Sequence, residues 1–156
     1  MTYLWLKWVH ILSATVLLGT GLGIYYFKYR ADRSGDLAVI AGVSRLTVIA
    51  DWLFTAPAIV VQLVTGLLLA HLHGWSLTEG WVLASLALYF LAGACWLPVV
   101  VLQIRMRDIA QQCLAVGTAL SIEYARYRRV WTVLGWPAFG AILLIVYLMI
   151  FKPAFW

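Results

Sequence analysis

Apolar residues run along this chain in four long blocks, at roughly 3–27, 47–72, 80–104 and 130–151. Each block reaches the ~20 residues that an α-helix needs to cross a bilayer at ~1.5 Å rise per residue. Lipid offers no partner to a backbone N–H or C=O, so each block must close its hydrogen bonds internally, as a helix. The pattern predicts an all-α membrane protein, a four-transmembrane-helix bundle forming one integral membrane domain over residues 1–156.

Composition agrees with the pattern. Hydrophobic residues make up 65% of the 156-residue chain and charged residues only 11%, against about 25% charged in a soluble domain. Mean hydropathy is +0.95. A small globule cannot hide that much apolar surface, so lipid is the expected partner of the outer helix faces.

The net charge of +5 changes the picture only through its placement. Lys28, Arg30, Arg33 and Arg45 follow the first block, and Arg105, Arg107, Arg126, Arg128 and Arg129 lie between the third and fourth. The second connection, His71 to Glu79, has no Lys or Arg. This is the positive-inside asymmetry that orients membrane proteins. It argues against a nucleic-acid partner and predicts a bacterial inner-membrane protein with both termini outside, in the periplasm. Lys7 and Lys152 stand near outer ends, where a long side chain can snorkel to the headgroups. The first block lacks a basic leader and an A-x-A site, and reads as a permanent helix.

Local punctuation adds detail. Ser34-Gly35-Asp36 has turn chemistry, and the apolar stretch after it either lies on the membrane or starts the second helix early. "DIAQQCLAV" extends the third helix, with Gly117 and Thr118 at its end. Gly19 and Gly23 form a small-xxx-small pair suited to close helix approach. Pro57, Pro98 and Pro137 each remove a helical hydrogen bond and favour kinks, and hence space between helices. Cys95 and Cys113 read as unpaired thiols.

Polar residues inside lipid should turn toward the bundle interior. At about 100° per residue, Thr55, Gln62, Thr65, Gly66 and His73 all fall within about 60° of Asp51, making one polar stripe on the second helix. His71 points the other way. Ser85, Tyr89, Trp96 and Gln103 form a wedge on the third helix. The predicted interior is lined by His10, Gln62, Thr65, Tyr89 and Trp96, with His73 near the outer mouth.

His10 sits roughly 10 Å below the outer end of its helix. An imidazole at that depth needs a partner, and the choices are haem iron, a proton relay or an interhelical hydrogen bond. Iron ligation accounts best for the surroundings. Ser13, Ala14 and Gly21 leave room beside the ring, while Trp5, Trp8, Trp52, Trp96 and Trp136 are a pool of aromatic cover. Lys7, one turn further out, suits a haem propionate. His73, or less well His71, is the candidate second axial ligand.

Two resemblances bear on this reading. "GTGLGIYYFKYRADRSGD", "ADWLFTAPA", "LAGACWLPVVVLQIRMRD" and "LGWPAF" resemble the bacterial integral membrane family catalogued as domain of unknown function 2269, which implies four helices and little chemistry. The opening "YLWLKWVHILSA" is similar to the start of HemJ-type protoporphyrinogen oxidases, small four-helix haem b membrane proteins. That similarity implies haem binding at His10. Ser85 stands about where that family carries a functional lysine, so haem binding carries over further than the oxidation does.

The expectation is a membrane-embedded haem b protein, a homodimer, possessing His10 as iron ligand. It would serve electron transfer or redox chemistry on a quinone or porphyrin reached through a cavity lined by Gln62, Tyr89 and Trp96. The alternatives are a small-solute transporter working as an oligomer, with Asp51, Gln62 and His73 along its path, and a non-catalytic membrane subunit or assembly factor.

Overall fold

A computed structural model of the chain describes residues 1–154. Among the described residues there are five α-helices: α1 (Thr2–Ser34), α2 (Leu37–Ala50), α3 (Ala56–His73), α4 (Gly80–Val116) and α5 (Ile122–Phe151). A π-helical segment, Asp51–Thr55, joins α2 to α3 without a break. Together these give, among the described residues, four helices long and apolar enough to cross a membrane: Thr2–Ser34, Leu37–His73, Gly80–Val116 and Ile122–Phe151. No strand occurs among the described residues. The protein is a multi-pass, all-helical membrane protein.

The helices extend well past their apolar blocks at the end where the arginines cluster, here called the basic end. α1 runs on to Ser34 and stops because Gly35 takes a left-handed φ of 71°, a conformation that costs glycine no steric clash. Asp36 then caps α2 at once, its carboxylate accepting from the Ala38 N–H at 2.8 Å and the Val39 N–H at 3.3 Å. The apolar stretch after the Ser-Gly-Asp turn is therefore an early start to the second crossing. α4 continues through "DIAQQCLAV" and ends at Gly117, with the Thr118 N–H closing on the Cys113 carbonyl at 3.0 Å. Ser121 caps α5 by accepting from the Tyr124 N–H.

The π-helical segment has a cause in the sequence. Pro57 has no N–H, so the helical hydrogen bond it should give to the preceding turn is missing. The turn relaxes into the wider register, in which the Ala56 N–H reaches the Asp51 carbonyl. Pro98 and Pro137 are accommodated inside α4 and α5.

Packing is uneven. α4 pairs closely with α5, α1 with α3, and α2 with α4, whereas α3 makes no comparable approach to α4 or α5. The tight core lies toward the basic end, where Ile40, Ala41, Met106, Ala110, Tyr124 and Trp131 come together. A buried latch closes that end. Lys28, 1% exposed, places Nζ 2.6 Å from Asp32 Oδ1, one turn along α1. The Tyr124 hydroxyl, from α5, donates to the same carboxylate oxygen at 2.5 Å and also meets Lys28 Nζ. Lys28, which reads in sequence as an ordinary basic flank, is thus a buried partner. At the opposite, terminal end, the gap left between α3 and the α4–α5 pair stays open.

Gly19 and Gly23 are not used for close approach within this chain: no other side chain stands near a Cβ built at Gly19, and Gly23 meets only Phe27 of its own helix.

Candidate functional site

The open gap is a cavity of about 390 Å³ at the terminal end, walled by residues of α1, α3, α4, α5 and the second connection. Its walls are mainly apolar. Polar groups converge at two levels: His10, Gln62, Ser85 and Tyr89 deep in the cavity, Lys7 and Lys152 nearer the chain ends.

α1 and α3 position the deep group. The Thr65 hydroxyl lies 2.6 Å from the Val61 carbonyl one turn back, and a carbonyl can only accept, so the hydroxyl donates there. Its oxygen is then the acceptor for His10 Nδ1, 2.8 Å away. His10 is therefore the neutral tautomer with hydrogen on Nδ1 and a lone pair on Nε2. That lone pair receives the side-chain amide of Gln62, whose Nε2 lies 3.0 Å away. The Gln62 carbonyl oxygen in turn accepts from the Ser13 hydroxyl, which also lies 2.9 Å from the His10 carbonyl. One hydroxyl proton serves two acceptors at Ser13.

The imidazole fits because Gly66 lies under it. A Cβ at position 66 would stand 3.2 Å from His10 Cε1, closer than packed carbons normally come. The room beside the ring thus comes from α3 and not from Gly21, which is exposed. Tyr89 donates its hydroxyl to the Ile59 carbonyl at 3.0 Å, bridging α4 to α3 across the cavity floor.

The rim is built by the second connection and the end of α5. Lys152 takes a left-handed φ of 43°, an uncommon state for a residue with a side chain. The turn brings its ammonium 3.9 Å from the Trp75 ring centroid and 5.6 Å from that of Trp81. Trp75 and Trp81 meet edge to face at 4.9 Å. Lys7 is exposed on α1 at the same rim.

Of the residues expected at the site, His10, Lys7, Gln62 and Tyr89 share the cavity. Trp96 does not line it; its indole nitrogen is buried beside Asp51 instead. His71 and His73 are exposed and outside the cavity wall. His73 packs between Tyr3 and Trp75, at ring-centroid distances of 5.5 and 4.1 Å. Trp5, Trp8, Trp52 and Trp136 are all more than half exposed and turn toward the lipid. The indole rings that line the cavity are Trp75 and Trp81, which sit beyond and at a helix end, where apolar periodicity gives no signal. Lys152, at the end of α5, reads in sequence only as a snorkelling cation and yet lines the cavity. Both cysteines are free, and no cluster of three or more His, Cys, Asp or Glu occurs among the described residues.

No curated protein and no solved structure matches this chain. The family described as "Predicted integral membrane protein (DUF2269)" matches it over residues 4–153, nearly its whole length, and the chain belongs to that family.

Proposed function

We propose that the protein binds haem b in the terminal cavity and uses it for electron transfer or redox chemistry on a small membrane-accessible molecule such as a quinone or a porphyrin. The observation that carries this reading is the tautomer of His10. A histidine that ligates a metal through one nitrogen usually anchors the other by donating a hydrogen bond, which fixes the ring and raises its basicity. Thr65 receives that hydrogen bond from Nδ1, leaving the lone pair of Nε2 as the ligating one.

The rest of the donor set fits a group held from one side. The walls are apolar, Trp75 and Trp81 supply flat cover, and Lys7 and Lys152 supply cations for carboxylates. Gln62 caps Nε2 and must turn its amide aside; its bond to Ser13 gives it an anchor while it does so. Neither His71 nor His73 lines the cavity, so His10 is the one imidazole in reach. Haem, when bound, would supply one-electron exchange. The protein's part is to hold the ring in one tautomer, exclude water from the apolar walls and anchor the carboxylates. In this reading the terminal end faces outside the bacterial inner membrane and the arginine-rich end faces the cytoplasm.

A second reading draws on the same bond that caps Nε2. With both ring nitrogens bonded to α3, His10 is a clamp between helices, and the cavity holds a metal-free apolar carboxylate. The absorption spectrum of protein purified from haem-supplemented cells separates the two. A Soret band that His10→Ala abolishes supports haem. A colourless, folded protein ends the haem reading and leaves the clamp.

A further inference from the structure

A second polar cluster lies apart from the cavity, around the π-helical segment. Asp51 is 4% exposed inside an apolar crossing, yet it has no ion-pair partner among the described residues. Thr55, Gln103 and Trp96 surround its carboxyl. All three lie within hydrogen-bonding reach of it, yet none is in well-formed geometry: Asp51 Oδ2, Thr55 Oγ1, Gln103 Oε1 and Trp96 Nε1 are all buried without a close, well-aligned partner. Thr55 and Gln103 are 8% and 3% exposed. Buried polar groups are nearly always paired, so a carboxyl oxygen and three neighbours all poorly paired call for an explanation.

We propose that Asp51 is a proton-binding site inside the bundle, taking up a proton from water as the neutral acid and releasing it as the carboxylate. An isolated carboxylate in lipid is costly without a counter-charge. Among the described residues no such charge is paired with Asp51. Its own segment offers Thr55, and α4 offers Gln103 and Trp96, all uncharged. The charged pair of α1, Lys28 and Asp32, is engaged with Tyr124. Arg45 of α2 and Arg105 of α4 are exposed, Arg105 bonded to Tyr127. A proton is the smallest charge that neutralises the site.

The orphan atoms suit a group that changes state. A neutral acid needs an acceptor, and the Gln103 carbonyl oxygen is free to be one. A carboxylate needs donors, and the Trp96 N–H and Thr55 O–H are free to be those. The missing N–H of Pro57 also leaves a backbone carbonyl of the preceding turn without its helical donor, and π-helical turns of this kind recur at functional sites. The same groups can hold a water molecule through which the proton arrives.

Infrared spectroscopy of the protein in lipid bilayers tests the assignment. The expected result is a carbonyl stretch of a protonated carboxyl that fades as pH rises, is lost in Asp51→Asn and returns displaced in Asp51→Glu. Asp51→Glu keeps the assignment testable should Asp51→Asn fail to fold. A carboxylate signature from Asp51 at every pH, or an acid band that no pH removes, overturns the proposal. So does a melting temperature that rises with sodium over choline in the wild type and not in Asp51→Asn, since that result makes the occupant a metal cation.

Discussion

The Thr65 hydroxyl sets the tautomer of His10: it gives its proton to the Val61 carbonyl at 2.6 Å and so must accept from Nδ1 at 2.8 Å. Replacing Thr65 by Val keeps the shape and removes the acceptor. The Nδ1–H is then left buried and unpaired, at a cost of about 1–3 kcal/mol. Unfolding in denaturant should show the loss. Nitrogen-15 NMR should report hydrogen on Nδ1 in the wild type and a mixture of tautomers in Thr65→Val.

Gly66→Ala separates stability from site geometry. Alanine favours a helix over glycine by about 1 kcal/mol, while the new Cβ at 3.2 Å from His10 Cε1 overpacks by a comparable or larger amount. The two effects oppose, so the melting temperature should fall by less than the overpacking alone would cause. The ring must shift, so the Nε2 resonance of His10 should lose the signature of its bond to Gln62. An unmoved resonance would mean that the ring does not rest on Gly66.

At the basic end, Lys28→Ala strands Asp32 as a buried charge and should cost about 3–5 kcal/mol. Tyr124→Phe removes two charge-assisted hydrogen bonds, one given to Asp32 and one accepted from Lys28, each worth about 1.5–3 kcal/mol. Replacing Lys28 and Asp32 together by Met and Leu should be far milder than Lys28→Ala, because no charge is left behind. Unfolding of the three variants and the wild type in one detergent measures the order, and additive losses would rule out the latch.

Lys152→Gly tests the rim without harming the fold. Glycine relieves the left-handed turn at φ 43°, which offsets the loss of the ammonium over Trp75, worth about 0.5–1 kcal/mol at an exposed site. Stability should stay within about 1 kcal/mol of the wild type. Affinity for a carboxylate-bearing apolar ligand should fall on the order of tenfold, as one surface cation is lost from a partly apolar site. A methyl-esterified ligand should bind wild type and variant alike.

The sequence made the four crossings legible because a charge-poor block in lipid has only one backbone solution. It also made the turn at Gly117 and the cap at Asp36 legible, since both are local chemistry. The sides of the helices were harder to read. Trp5, Trp8, Trp52 and Trp136 face lipid while Trp75 and Trp81 face the cavity, and lipid and interior are equally apolar to a periodicity argument. Lys28 looks like any basic flank until Tyr124, from the far end of the chain, covers it. His10, Gln62 and Thr65 each read as interior, but their pairing depends on α3 returning beside α1. A uniform step of about 100° per residue puts Asp51 on the same stripe as Gln62, and here that step fails. It does not hold across a π-helical turn, so Asp51 meets Trp96 and Gln103 of α4 while Gln62 meets α1.

That wide turn ahead of Pro57 acts as a phase shifter between the two halves of one rod. The lower half is indexed to α4 and the upper half to α1, and neither can rotate to suit its neighbour without carrying the other. Deleting a single residue within Asp51–Thr55 would swing all of α3 as a unit, withdrawing Gln62, Thr65 and Gly66 from His10 while leaving the Lys28 latch in place. The cavity and the buried carboxyl are therefore geared together by one missing N–H.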